Sequence, residues 1–60
     1  MKLFSENIAG NIHDVVAIVN ERGLAAQVLS IHSVSSHICI VVFRVDETDA
    51  ESLRKVKGLA

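Results

Sequence analysis

Asn7-Ile8-Ala9-Gly10-Asn11-Ile12-His13-Asp14-Val15-Val16-Ala17-Ile18-Val19-Asn20-Glu21-Arg22-Gly23 is the stretch that decides how this chain is read. Ile12, Val15, Val16 and Val19 recur at the spacing of one helix face, and Ile18 widens the stripe. Asn11 is placed to cap the start of that helix, and Asp14 sits in its first turn, where the helix dipole favours an anion. Arg22 and Gly23 close its last turn. The residues before it read as a loop. Gly10 there lets the backbone approach a ligand closely, and the free N–H groups of a helix start suit a carboxylate or a phosphate.

Working outward, residues 2–5 read as a short first strand, with Leu3 and Ser5 on one face and Phe4 on the other. Beyond Gly23, residues 24–34 carry Val28, Leu29, Ile31 and Val34, β-prone residues whose alternation breaks once, at Val28-Leu29, where a bulge would fit. Ser33-Val34-Ser35-Ser36 reads as a turn into residues 37–45, the clearest strand of the chain, so the two strands are expected to pair as a hairpin. Cys39, Val41, Phe43 and Val45 share one face of that strand. Ile38, Ile40, Val42 and Arg44 share the other, which is also mostly apolar. A strand apolar on both faces expects cover on both. The second cover has to come from an oligomer or a larger parent protein. Thr48-Asp49-Ala50-Glu51 then reads as a capping box, with Thr48 as the cap, opening a second helix whose stripe is Ala50, Leu53 and Val56. Acidic residues crowd its start, and Arg54, Lys55 and Lys57 crowd its end.

Composition excludes several classes. Sixty residues with a hydrophobic fraction of 50% make one small domain, marginal on its own. No apolar run approaches the roughly 20 residues of a membrane helix, and residues 1–4 are too short for a signal peptide, so a cytoplasmic protein is expected. A net charge of -1 and only two aromatics, both Phe, lack the basic patch and stacking platform of a nucleic-acid binder. A single Cys forbids an internal disulfide and suits a reducing compartment.

The expected order is strand, helix, strand, strand, helix: an α+β, ferredoxin-like βαββα(β) pattern, an antiparallel sheet with two helices on one face and the last strand absent or very short. Such a chain lacks its final strand, expects it from another copy, or is a piece of a longer protein. With that order in view, the chain resembles the ACT domain over nearly its whole length, residues 1–60. The resemblance rests on Asn7-Ile8-Ala9-Gly10-Asn11-Ile12, on Asn20-Glu21-Arg22-Gly23-Leu24 at the helix end, and on the Val-rich strand that stops at Asp46. It implies a non-catalytic regulatory domain that forms a homodimer through its sheet. An amino acid or related metabolite would bind at the interface, on Asn7, Ile8, Ala9, Gly10, Asn11 and Ile12. Asn7 would offer an amide to the ligand, and Gly10, Asn11 and Ile12 would offer backbone N–H groups. The chain departs from the family's pattern in having Ala9 where Pro is frequent and Ala25 where many amino-acid-binding members have Asn.

The residues also admit three other readings. His32 and His37 flank the expected turn, and Cys39 lies two residues beyond His37, so imidazole and thiolate together suit nickel, zinc or copper. That arrangement is similar to part of the site in nickel-responsive repressors, whose metal-binding domains are ACT-like, although Ser30 stands near the place of a further His. A second alternative is a structural or oligomerisation module that takes no ligand. The third is phosphoryl transfer through Cys39, in the manner of the cysteine-phosphorylated domains of sugar phosphotransferase systems. Cys39 is followed by Ile40-Val41-Val42-Phe43 and a single Arg44, with no adjacent base or anion clamp to activate the thiol, so no enzyme and no cofactor is expected.

Overall fold

The computed structural model describes residues 1–59. Its elements are β1 (Lys2–Ala9), α1 (Ile12–Glu21), a 3-10 turn (Ala25–Gln27), β2 (Val28–Ser33), β3 (Ile38–Val45) and α2 (Ala50–Lys57). The three strands form one antiparallel sheet in the order β1-β3-β2. The result is a small α+β fold compatible with a ferredoxin-like arrangement. A strand after α2 is not seen among the described residues.

β3 organises the sheet. Its odd residues Cys39, Val41, Phe43 and Val45 are all buried, and Ile8 of β1 joins them on the same face. Val15 and Val19 of α1, Leu24 and Val56 of α2 complete a single core, with Phe4, Ile18, Val28, Ile31, Leu53 and Leu59 packed around it. Both helices therefore lie on one face, the arrangement the apolar stripes called for. Each fully buried side chain of this size stabilises the fold by about 1.5–3 kcal/mol, and there are few of them.

β1 is longer than residues 2–5, the span expected from its sequence. Ser5, Glu6 and Asn7 give it no apolar alternation. Pairing with the eight-residue β3 nevertheless holds it extended throughout, from Lys2 opposite Val45 to Ala9 opposite Ile38. The ladder runs one step further, where the Gly10 N–H donates to the His37 carbonyl at 2.6 Å. Hydrogen-bonded and non-bonded positions alternate along an antiparallel pair, so this bond assigns β1. Even positions of β1 bond to β3, while Leu3, Ser5, Asn7 and Ala9 turn their backbone groups to the outer edge. The groups of β3 that face the other way go to β2, as the Val34 N–H to Ile38 carbonyl bond shows.

The hairpin and its bulge stand where the broken alternation put them. The register slips between Val28 and Ser30, leaving Leu29 unpaired and 53% exposed. His37 lies just before β3 rather than in it. Its N–H is held by the Ser35 hydroxyl, and Ser33 reaches the Ser35 carbonyl, so serine side chains close a turn that has neither Gly nor Pro.

Helix ends follow local chemistry. The Asn11 side chain caps α1 by accepting from the Asp14 N–H at 2.9 Å. At the other end the Gly23 N–H bonds to the Asn20 carbonyl and the Leu24 N–H to the Val19 carbonyl, with Gly23 at φ +69°. This is a Schellman motif, and it delivers Leu24 into the core beside Val19. The start of α2 differs from the expected capping box. Asp46 takes both the N–H and the hydroxyl of Thr48 in a local turn, so the cap falls to Asp49, which accepts from the Ser52 N–H at 3.1 Å.

Candidate functional site: the junction of β1 and α1

The residues expected to hold a ligand fall across the end of β1 and the start of α1. Asn7 is a strand residue opposite Ile40, exposed on the face of the sheet away from the helices. Ile8 points the other way and is buried in the core. Ala9 ends the strand, exposed. Gly10 turns the chain at φ +131°, a conformation that L side chains rarely adopt. A Cβ there would also stand 3.3 Å from the Cβ of Asp14. Asn11 is the cap, and Ile12 opens the helix with 40% of its surface exposed.

One of the donors expected to face a ligand, and a further N–H in the first turn of α1, are engaged within the chain. The Gly10 N–H is spent on His37, and the Asp14 N–H on Asn11. The N–H groups of Ile12 and His13, at the positive end of α1, are in the first turn and have no partner within the helix. Asn7 and the helix start are therefore brought to one end of β1 but not to one face. Among the described residues the chain encloses no cavity at this junction.

No family profile, curated protein or solved structure matches this chain.

The alternative metal residues are not brought together. His32 lies opposite Ile40 on the open face, its Nε2 3.0 Å from the Ser30 hydroxyl. Cys39 is fully buried on the helix-covered face, where its thiol points at the Gly10 carbonyl at 3.6 Å. An eight-residue strand cannot present Cys39 and the neighbour of Ile40 to one ion, because successive side chains leave opposite faces. No group of three metal-binding side chains converges among the described residues. Cys39 instead ties β3 to the loop before α1.

Sequence reasoning did not find the Gly10–His37 bond, which makes the glycine turn an extension of the sheet. The one signal was Gly10 itself. The acidic turn before α2 carries the clearest electrostatic perturbation: hydrogen bonding from Thr48, backbone first and hydroxyl second, holds the Asp46 carboxyl below its ordinary value. Bonding from the side chain and backbone of Ser52 does the same to Asp49. Both are local hydrogen-bonding effects, on an exposed Asp46 and a half-buried Asp49.

Proposed function

We propose that this chain is a small regulatory domain of the ACT type, ferredoxin-like in architecture, that binds an amino acid or related metabolite where two copies meet beside the β1–α1 junction. The observation that carries the reading is the junction itself. A left-handed glycine, an asparagine cap and an exposed helix start stand at the end of a strand whose outer edge is unpaired among the described residues. The α1 N–H groups of Ile12 and His13 suit the carboxylate of an effector, and the exposed Asn7 amide suits a polar group on it. The second copy supplies the missing wall.

A thermal-melt screen with free amino acids and small carboxylates tests this. A ligand at a hundred times its Kd adds about 2.7 kcal/mol by mass action, which in a domain this small is a rise of more than about 10 °C. Asn7→Ala, on an exposed strand position, should keep the fold and lose the response. A screen in which no amino acid or carboxylate raises the melting temperature overturns the effector reading. A second reading, an oligomerisation module without ligand, is favoured by the apolar groups on the open face, where Leu3 is 63% and Ile38 44% exposed. In that case the chain self-associates while no effector shifts its melting.

A further inference from the structure

We propose that residues 38–43 of β3 form a self-pairing segment: once β2 leaves the sheet, Ile38-Cys39-Ile40-Val41-Val42-Phe43 stacks on the same segment of further copies as a cross-β assembly. The segment's behaviour is independent of any effector.

Its six residues are consecutive and apolar, five of them β-branched or aromatic, with no charge, glycine or proline among them. Successive side chains leave opposite faces, so both faces of the strand are apolar. About six or seven such residues suffice to form a dry interface between stacked sheets. The other strands lack this character. β1 carries Lys2 and Glu6, and β2 carries Ser30, His32 and Ser33. The rival stretch is Val15-Val16-Ala17-Ile18-Val19, which is one residue shorter, is held in α1 and follows Asp14 directly. Arg44 bounds residues 38–43 at one end, and a net charge of -1 supplies little repulsion between copies.

In the folded chain the segment is shielded at its edges rather than its faces. Ile38 is 44% exposed, and Ile40 and Val42 are half-buried on the open face. Stacking of strands proceeds through backbone N–H and carbonyl groups, and both rows of these on β3 are taken, one by β1 and one by β2. The two covers are unequal. β1 pairs with β3 without a break from Lys2 to Ala9, whereas β2 has six residues and slips register between Val28 and Ser30. Separation of β2 frees one edge of residues 38–43, and a domain with so small a core opens locally at little cost.

The sixty-residue chain, incubated with agitation just below its melting transition, tests the proposal. Thioflavin T fluorescence follows assembly, and fibre diffraction should show reflections at about 4.7 Å and about 10 Å. Protease digestion of the fibres, read by mass spectrometry, should leave a protected peptide containing residues 38–43. Ile40 lies between Asn7 and His32 on the open face, so Ile40→Lys should keep the fold by circular dichroism while lengthening the lag at least about tenfold. Should that variant unfold, its solubility decides: an unfolded chain free of fibres supports the proposal, and one that forms fibres overturns it. Asn11→Ala weakens the fold outside the segment and should shorten the lag at the same temperature. An unchanged lag there overturns assembly through the opened chain. So does an Ile40→Lys chain that assembles as fast as the unaltered one, a protected core at residues 15–19 or in β1, an amorphous precipitate without the strand-spacing reflection, or no assembly at all.

Discussion

Asn11 does two jobs in one residue: its side chain satisfies a helix N–H, and its extended backbone (φ -77°, ψ 172°) carries the chain out of the Gly10 turn into α1. Asn11→Ala should therefore cost about 1 kcal/mol, a fall of about 4–8 °C in melting temperature for a domain of this size, and Asn11→Ser should recover most of it. At the far end of α1, a Cβ on Gly23 would meet nothing within 4 Å, so the cost of Gly23→Ala is the positive φ alone. About 1 kcal/mol is expected in chemical denaturation, and Gly23→Asn should cost less because Asn enters the left-handed region more readily. Asp49 supplies a pH dependence. Its folded-state pKa lies below the ordinary 3.8, so its ionised form favours the folded chain at every pH above 3.8. That contribution fades as pH falls through the lower folded-state value. Melting temperature should drop on acidification in this range, and Asp49→Asn, which caps without ionising, should flatten part of the drop.

β3 shows how an element is read by some of its neighbours and hidden from others. Its alternation placed Cys39, Val41, Phe43 and Val45 on one face, and all four are buried there. Phe43→Ala should cost about 3–5 kcal/mol, enough to leave so small a domain mostly unfolded by circular dichroism. Val42→Thr, one residue away on the open face, should cost much less unless that face is covered in solution. The bulge at Leu29 was legible because the alternation breaks there. The length of β1 was not, because Ser5, Glu6 and Asn7 carry no strand signal and are extended only by the partner they pair with. The cap of α2 was half legible. Asp46, Thr48 and Asp49 are all competent caps, and the choice depends on how the chain leaves β3, where Asp46 captures Thr48.

Among the described residues the sheet has one face covered by the helices and one open face. Nine of the described residues form the buried core, a small supply for a domain that hides only about 60% of its unfolded surface. Self-association of folded copies, of the kind proposed above for the effector site, would link folding to concentration, so melting temperature should then rise with protein concentration. Differential scanning calorimetry over a concentration series checks this. No helix among the described residues is long and apolar enough to cross a membrane.

What the amino-acid sequence determined by itself is local. The spacing of Ile12 to Val19 makes a helix, Asn11 caps it, Gly23 ends it, and the two-faced alternation of residues 38–45 makes a strand, because each depends on neighbours a few positions away. The strand order, the reach of β1, the engagement of the Gly10 N–H by His37 and the parting of Cys39 from His32 depend on pairings between distant segments. Only the tertiary structure decided those, because a strand's face and edge are fixed by the register of its partner, and no short stretch of β1 or β2 encodes the residue it will lie against.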